Sequence, residues 1–326
     1  MAKLKTAFVC NECGADFSKW QGQCPECGAW NTVQEIRLAK KSSPVIQKAV
    51  GYAGADSQIL SLDKIDLAEQ SRFSSGVGEF DRVLGGGLIP GSAILVGGHP
   101  GAGKSTLLLQ TVCHLASQVN VLYVTGEESL QQVAMRANRL NLEAKELKLF
   151  SETCIETIEA TLMRASPKVL VVDSIQVMFS EGLDSAPGSV SQVRECAARL
   201  TRYAKQSGMV LFLVGHVTKD GSIAGPKVLE HMIDCSIMLE GSSDTRFRTL
   251  RGIKNRFGAV NELGVFSMQE KGLVEVKNPS AIFLNRSDEV NPGSAVTVLW
   301  EGTRPLLVEV QALVDESQGS YPKRVS

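Results

Sequence analysis

From residue 73 onward, fully apolar runs alternate with segments whose apolar residues recur at helical spacing. The apolar runs predict strands at Ala93–Gly97, Val121–Thr125, Val169–Asp173, Val210–Gly215, Ser236–Leu239, Thr249–Lys254 and Leu263–Met268. The helically spaced segments predict helices at Ser105–Ser117, Leu130–Asn141, Ile155–Ala165 and Ser191–Gln206. Such alternation is typical of an α/β fold with a largely parallel sheet covered on both faces. The later strands lack long helices between them, so we expect them to extend the sheet as an antiparallel meander.

The alternation is confined to one part of the chain. We expect residues 73–276 to form the α/β core, residues 1–34 a small separate module, and residues 35–72 a linker with weak periodicity. Residues 277–326 contain two strand-like runs but are too few to close another α/β domain. We therefore expect this last segment to be the first piece of a third domain that is cut short.

Composition narrows the class of protein without naming a function. Of the 326 residues 43% are hydrophobic, which is ordinary for a globular protein. Because the net charge is only −1, any nucleic-acid contact must come from local basic patches. No apolar run approaches the roughly 20 residues of a membrane span, and the N-terminus lacks the apolar region of a secretory signal. We therefore expect a cytoplasmic protein without a membrane partner, whose singly placed cysteines (Cys113, Cys154, Cys196, Cys235) are reduced and buried.

Residues 98–105 read GHPGAGKS, the complete GxxxxGK[ST] pattern of a phosphate-binding P-loop between a predicted strand and a predicted helix. Glycines let backbone N–H groups turn toward the phosphates, and the following helix directs its positive end at them. We expect Lys104 to reach the β- and γ-phosphates and Ser105 to hold Mg²⁺. The residues expected to bind ATP or GTP are Gly98, His99, Pro100, Gly101, Ala102, Gly103, Lys104, Ser105 and Thr106.

Four cysteines near the N-terminus form two pairs, Cys10 with Cys13 and Cys24 with Cys27, each followed by a glycine. This C-x₂-C-x₁₀-C-x₂-C spacing turns four thiolates toward one point, as tetrahedral Zn²⁺ requires. A redox-active disulfide needs one pair rather than two symmetric ones, so structural zinc is the favoured interpretation. A site with four cysteine ligands is closed, and we expect the metal to support folding rather than catalysis.

Hydrolysis requires an acid that orients Mg²⁺ and a group that activates water. Asp173 ends the run VLVVD and fits the first role, but Ser174 follows it where many AAA-type ATPases have the catalytic glutamate. The best candidate for the second role is Glu127, which with Glu128 follows the run VLYVTG. The alternative is that both acids only start the next helix, and a structural role is favoured for Glu128. His216 ends another apolar run and either senses the γ-phosphate or is simply hydrogen-bonded there.

A basic run occupies residues 246–258, RFRTLRGIKNRFG, with five basic residues in eleven positions. Lys254 and Arg256 would share one strand face because side chains alternate with period two. Three interpretations stay open on these residues alone: a solvated basic strand, a surface for DNA phosphates, or a finger inserted into a neighbouring subunit's ATP site.

The four-cysteine ribbon, the segment SSGVGEFDRVLGGGL at 74–88, GHPGAGKST and KNRFG at 254–258 together resemble the bacterial RadA (Sms) family of DNA repair proteins, whose core is similar to RecA. The resemblance covers essentially the whole chain, and KNRFG is highly specific to the family. It implies a RecA-like P-loop ATPase core, an N-terminal zinc ribbon and, at 277–326, the start of a Lon-protease-like domain. The family generally lacks the proteolytic residues of that domain, and no serine–lysine pair can be argued here, so we expect no protease activity.

The resemblance also implies roles for residues. The segment VTGEES matches the position of the catalytic glutamate and selects Glu127, while Lys254 and Arg256 match basic residues that reach a neighbour's ATP. The implied function is ATP-driven translocation on single-stranded DNA by a homo-oligomeric ring, expected to be a hexamer. That motor would promote branch migration of recombination intermediates in DNA repair, and a RecA-type recombinase is the expected protein partner.

Two stretches match the central DNA-binding loops of such rings, Glu181–Gln192 and Thr218–Lys227, with Lys219 and Lys227 as candidate phosphate contacts. Two rival functions remain. The segment GEFDRVLGGGL also resembles clock-type RecA-like ATPases with a regulatory or self-phosphorylating role, although the ribbon and KNRFG argue against them. An ATP-switched adaptor without motor activity is the other. The expected cofactors are ATP, Mg²⁺ and Zn²⁺.

Overall fold

The computed structural model describes residues 6–37, 61, 71–143, 145–217, 223–224, 227–241, 245–284 and 293–312. The chain divides into two compact units, Met1–Glu275 and Val276–Ser326, which are described separately. Most of the expected linker, residues 38–60 and 62–70, lies outside the described residues. None of the described helices is long and apolar enough to cross a membrane.

Strands and helices alternate through most of the first unit. Its strands are β1 Thr6–Cys10, β2 Asp16–Phe17, β3 Val33–Arg37, β4 Ala93–Gly98, β5 Val121–Thr125, β6 Lys148–Ser151, β7 Val169–Asp173, β8 Val210–Val214, β9 His216–Val217, β10 Ile223–Ala224, β11 Cys235–Glu240, β12 Phe247–Asn255, β13 Leu263–Gln269 and β14 Gly272–Glu275. Its helices are α1 Gly78–Val83, α2 Lys104–Ala116, α3 Leu130–Arg139, α4 Ile155–Ala165, α5 Val190–Ser207 and α6 Lys227–Met232, with a 3₁₀ turn at Ile175–Val177.

Nine strands form one sheet in the order β14-β13-β12-β11-β4-β8-β7-β5-β6. Every residue of β5, β7 and β8 is buried, which explains their uninterrupted apolar sequences. Alternate strand residues pack into two separate cores, one that includes Leu107 of α2 and Val133 of α3, the other Ile158 of α4 and Leu200 of α5. The expected α/β fold with a sheet covered on both faces is confirmed.

The expected antiparallel meander is confirmed, since β11, β12, β13 and β14 pair antiparallel in chain order. The strand β11 also pairs in parallel with β4, which joins the meander to the parallel part of the sheet. The chain passes from β8 through β9, β10 and α6 before it enters β11, and this crossover allows the parallel pairing. The apolar pattern missed α1, which is only six residues long, and β6, an edge strand whose side chains are partly exposed.

The N-terminal module is a three-stranded antiparallel sheet in the order β2-β1-β3, and its last strand continues to Arg37. The second unit contains helix α7, Ser280–Phe283, and a hairpin of β15, Ser294–Glu301, with β16, Arg304–Gln311. The two strand-like runs in this segment are therefore confirmed as strands.

Candidate functional site

The loop between β4 and α2 has the shape of a phosphate cradle. Gly98, Gly101 and Gly103 have φ angles of 151°, 78° and 108°, a region that only glycine adopts without strain. A Cβ on Gly98 would lie 2.4 Å from the Leu239 carbonyl oxygen, whereas the space around Gly101 is open. The loop can therefore bring its backbone N–H groups close to a bound phosphate at the N-terminus of α2.

Lys104 begins α2 and folds back over this loop. Its ammonium donates hydrogen bonds to the carbonyl oxygens of Gly98 at 2.6 Å and His99 at 3.0 Å, and the residue is buried. Burial lowers the pKa of Lys104, while the charges of Asp173 and Glu127 oppose that shift. The structure thus brings Lys104 into the electrostatic range of both carboxylates that the sequence singles out.

The remaining P-loop residues differ in exposure. His99 and Pro100 are exposed at the tip of the loop, Ala102 is buried beneath it, and Ser105 and Thr106 are partly buried in the first turn of α2. Ser105 is therefore accessible at the end of α2 that faces the cradle, where it could hold a metal ion.

Asp173 ends β7 beside β5, and the register pairs it with Thr125. Its carboxylate is almost completely buried and accepts a hydrogen bond of 2.5 Å from the hydroxyl of Tyr123. Burial and the Asp173 charge raise the pKa of Tyr123 well above its ordinary value, so the phenol remains a hydrogen-bond donor. Tyr123 thereby fixes the orientation of the acid that could hold Mg²⁺.

Three strand ends meet at Glu127. Ser174, directly after β7, donates a short hydrogen bond to Glu127 Oε1, and His216 Nε2, at the start of β9, lies 3.3 Å from the same oxygen. Ser174 is completely buried and His216 about one-third exposed, so the carboxylate lies at the edge of the core. The position after Asp173 therefore contributes a hydroxyl that orients a glutamate from the neighbouring strand.

The two acids after β5 have different surroundings. Helix α3 begins at Leu130 with Ser129 as its N-cap, so neither acid lies in the helix. Glu128 forms an ion pair with Arg136 in the last turn of α3, which agrees with the structural role favoured for it. Glu127 instead faces the P-loop side.

Sequence reasoning missed the role of Arg248. Its guanidinium is buried and donates to the Ala102 carbonyl oxygen of the P-loop at 3.2 Å, and also to the carbonyls of Thr245 and Phe247. The interpretation of residues 246–258 as a solvated basic strand is therefore wrong for this residue. Nothing in the local pattern distinguishes Arg248 from its exposed neighbours. The role of Tyr123 was also missed, although a tyrosine inside the otherwise aliphatic run of β5 signals a buried hydroxyl that needs a hydrogen-bond partner.

Lys254 and Arg256 lie at the opposite end of the sheet. Backbone hydrogen bonds of 2.9 Å join Arg256 N to Asp234 O and Asp234 N to Ala93 O, which places Arg256 beside the first residue of β4. The P-loop starts at the last residue of that strand, Gly98, about 17 Å away at 3.3 Å per residue. The structure does not bring these two basic residues to Lys104, Glu127 and Asp173 of the same chain.

Both basic side chains donate hydrogen bonds to backbone carbonyls near the C-terminal end of α6. The Lys254 ammonium donates to the carbonyl oxygens of Glu230 and Ile233, the latter at 2.8 Å, at the C-terminal end of α6. Arg256 donates to the His231 carbonyl at 3.2 Å and lies 3.6 Å from Asp234 Oδ1. Arg256 follows β12 rather than belonging to it, because the strand ends at Asn255.

Asp234 is the buried centre of this end of the sheet. Its carboxylate is 2% exposed and accepts hydrogen bonds from Lys205 Nζ at 2.8 and 2.9 Å and from Ala93 N at 3.0 Å. Burial and the charges of Arg256 and Lys205 lower the pKa of Lys254, and Asp234 opposes this effect. The Asp234 carboxylate therefore compensates the charges of Lys205 and Arg256.

The four cysteine sulfurs of the ribbon converge as predicted. They lie within 4.8 Å of one another, with Cys10 Sγ 3.7 Å from Cys27 Sγ and Cys13 Sγ 3.5 Å from Cys24 Sγ. A tetrahedral Zn²⁺ with bonds of about 2.3 Å separates its sulfurs by about 3.8 Å, so the cluster fits the ion. Burial raises the pKa of the Cys10 thiol, but hydrogen bonds from Thr32 and the backbone outweigh it and lower the pKa to about 6.

Of the two expected DNA loops, Glu181–Gln192 is described throughout, whereas Thr218–Lys227 is described only in part. Residues 218–222, with Lys219, and 225–226 lie outside the described residues, and of Lys227 only its place at the start of α6 is described. The other loop carries the acids Glu181 and Asp184 but no basic residue before α5. Gln192 belongs to α5 and is buried, where its side chain hydrogen-bonds the backbone of this loop.

The chain is similar to known proteins over its whole length. The family described as an AAA domain matches residues 71–222, and the family described as a rubredoxin metal binding domain matches residues 8–35. Curated proteins named DNA repair protein RadA are 63% identical over 328 residues in Haemophilus influenzae and 48% identical over 328 residues in Bacillus subtilis. All of this chain is covered in both cases, against 72% and 71% of the relatives' own lengths.

Among solved structures, a KaiC-like protein from Pyrococcus horikoshii superposes with a TM-score of 0.52 at 19% identity, over 64% of this chain and 99% of that one. This likeness concerns the fold alone. Together with the family matches it confirms the RecA-like P-loop core with an N-terminal zinc ribbon. A domain of this class takes ATP with Mg²⁺, and the ribbon takes Zn²⁺, for which the glycine cradle and the sulfur cluster are suited.

Proposed function

The chain belongs to the RadA family of DNA repair proteins, and from that premise we propose that it is an ATP-driven motor that translocates on single-stranded DNA and promotes branch migration of recombination intermediates. The observation that supports the proposal is the position of an exposed arginine at the end of the sheet opposite the P-loop. Lys104, Glu127 and Asp173 lie at one end, while Arg256 lies exposed at the other, about 17 Å from the P-loop at 3.3 Å per residue.

Within one subunit we assign each side chain at the P-loop end a separate task. Lys104 would bind the β- and γ-phosphates, and Ser105 with Asp173 would hold Mg²⁺, which would supply positive charge to the phosphates. Glu127 accepts a proton from the attacking water, and Ser174 and His216 hold its carboxylate in place. His216 also begins β9, which leads into the stretch at 218–227, so its contact can link nucleotide state to that stretch.

Between subunits, Lys254 and Arg256 act on the ATP of a neighbour. A head-to-tail interface joins one end of the sheet to the opposite end of the next copy, and such interfaces form a ring when the rotation between copies closes. An arginine that reaches the γ-phosphate from a neighbour stabilises charge in the transition state. We therefore propose a homo-oligomeric ring, a hexamer, that hydrolyses ATP only when assembled.

DNA would pass through the centre of that ring. The loop before α5 carries only acidic charge, so we propose that Lys219 and Lys227 supply the phosphate contacts and that the loop shapes the path. The zinc ribbon binds DNA or a protein partner, for which a RecA-type recombinase is proposed. We place this repair machinery in the cytoplasm and propose that the hairpin of the second unit opens a Lon-like domain.

The test measures ATP hydrolysis by the assembled protein with single-stranded DNA, with duplex DNA and without DNA, with Lys104→Ala as the inactive control. We expect single strands to raise hydrolysis severalfold and a branched substrate to be converted in an ATP-dependent manner. An intact ring that no DNA stimulates would contradict the proposal. Hydrolysis limited to one turnover, without strand displacement, would favour an adaptor, and a phosphorylated residue after incubation with ATP would favour a clock-type protein.

A further inference from the structure

Three successive glycines in the segment at 74–88 have no part in the ATP site. They form a turn directly after α1, here called the glycine turn, Gly85–Gly87, with φ angles of 81°, 107° and 123°. Gly85 N donates to Arg82 O and Gly86 N to Asp81 O, the hydrogen bonds that end many helices. Helix termination accounts for a glycine at 85, but it does not explain what the turn contacts.

The glycine turn packs against Lys254–Gly258, here called the basic turn. A Cβ on Gly85 would lie 3.1 Å from Arg72 Nη1, 3.2 Å from Asn255 Nδ2 and 3.3 Å from Gly258 Cα. A Cβ on Gly258 would lie 3.1 Å from Gly85 Cα, although the φ angle of Gly258 lies outside the left-handed region. The close approach of the two backbones, rather than local conformation, therefore requires glycine at 258.

Two further contacts fix the basic turn on either side of Arg256. Asn255 Oδ1 accepts a hydrogen bond of 2.9 Å from Phe257 N, and Arg72, which precedes the glycine turn, donates to the Phe257 carbonyl. The Arg256 side chain itself is 51% exposed, and its own contacts are 3.2 and 3.6 Å long. The direction in which Arg256 leaves the sheet is therefore set by its backbone more than by its side-chain contacts.

We propose that Gly85 is a positioning residue for Arg256: the glycine turn seats the basic turn and thereby aims Arg256 at the ATP of the neighbouring subunit. The inference rests on the proposed function, from which the role of Arg256 is taken. The motif that ends in three glycines and the motif KNRFG are some 170 residues apart in the chain but in contact in the fold. This proposed positioning role explains why the chain carries both motifs.

The experiment compares Gly85→Ala and Gly258→Ala with the control Gly86→Ala. Gly86 also has a left-handed φ angle, but a Cβ there would meet only Arg72, at 3.5 Å. We expect kcat for DNA-stimulated hydrolysis to fall about tenfold in the two test variants, since small displacements of a reacting group are costly. The KM for ATP should match that of the control, whose kcat stays within about twofold of wild type. The urea midpoint of Gly85→Ala should match that of Gly86→Ala, because both residues have a left-handed φ angle.

A double variant separates positioning from other effects. Arg256→Ala alone should lower kcat by about a hundredfold or more, and adding Gly258→Ala should lower it by less than about twofold further, because Gly258 then has nothing left to aim. An additional tenfold loss in the double variant, or an equal loss in Gly86→Ala, would overturn the inference while leaving the role of Arg256 intact. Wild-type activity in Arg256→Ala would refute the proposed role and the inference together. If Gly85→Ala fails to fold, Gly258→Ala carries the test, because it leaves the end of α1 unchanged.

Discussion

The two ends of the central sheet hold their charged groups in different ways. At the P-loop end, carboxylates are fixed by hydroxyls: Tyr123 donates to Asp173, and Ser174 donates to Glu127. At the opposite end, Lys254 rests on backbone carbonyls at the end of α6, and Arg256 rests on the His231 carbonyl and on the buried carboxylate of Asp234. Lys104 is 4% exposed, whereas the Arg256 side chain is 51% exposed. The first end can receive a nucleotide, and the second presents the exposed guanidinium of Arg256.

The largest effect is expected from the P-loop end. Lys104→Ala removes the ammonium that lies over the cradle. We expect the rate of hydrolysis to fall by about 10³-fold, the upper end of the loss that follows removal of one hydrogen-bond donor to a transition state. The measurement is ATP turnover with single-stranded DNA. His99→Ala, at the exposed tip of the same loop, is the control for backbone disturbance and should hydrolyse ATP within about threefold of wild type. Substantial turnover by Lys104→Ala would mean that the P-loop end does not depend on Lys104 for hydrolysis.

The next largest effect concerns the opposite end. Asp234→Asn keeps the shape of the side chain but removes the charge that compensates Lys205 and Arg256, and we expect the free energy of unfolding to fall by about 2 kcal/mol. Urea denaturation measures this, with Glu143→Gln on the surface as the control for loss of one acidic charge. Hydrolysis should fall about tenfold because the basic turn loses an anchor. Unchanged stability would mean that Asp234 does not organise this end.

A smaller effect is expected from the residue that follows Asp173. Ser174→Ala removes the hydroxyl that orients Glu127. We expect kcat to fall about fivefold, which corresponds to the loss of one hydrogen bond of about 1 kcal/mol, while the KM for ATP stays unchanged. Ser92→Ala is the matched control, since Ser92 is equally buried but its hydroxyl has no partner among the described residues. If both variants lose the same activity, Ser174 acts through packing rather than through Glu127.

The smallest effect is expected from the ribbon, which contributes no group to either end of the sheet. Cys24→Ser, or removal of zinc by a chelator, should unfold the ribbon but leave DNA-independent hydrolysis within about twofold. Zinc content and basal turnover are measured on the same sample. A parallel loss of both would mean that the ribbon supports the catalytic core directly.

Local patterns in the sequence predicted a large part of this molecule. The P-loop, the buried strands and the cysteine cluster depend on spacing within a few residues, so each could be inferred before the fold was known. The contacts of Ser174 with Glu127 and of Arg248 with Ala102 depend on which strands become neighbours. The same is true of the parallel pairing of β11 with β4, and of the approach of Gly85 to Gly258. These features join residues that are far apart in the chain, and no periodicity encodes them.

In the proposed ring the two ends of the sheet meet between subunits, and a mixture of two inactive variants tests this arrangement. Lys104→Ala keeps an intact Arg256, and Arg256→Ala keeps an intact P-loop. In an equal mixture about a quarter of head-to-tail interfaces would unite the two intact halves, so hydrolysis should recover to at most about a quarter of the wild-type rate. The doubly substituted chain mixed with Arg256→Ala is the control and should stay inactive. No recovery at any ratio, in rings shown by mass spectrometry to contain both variants, would contradict the account.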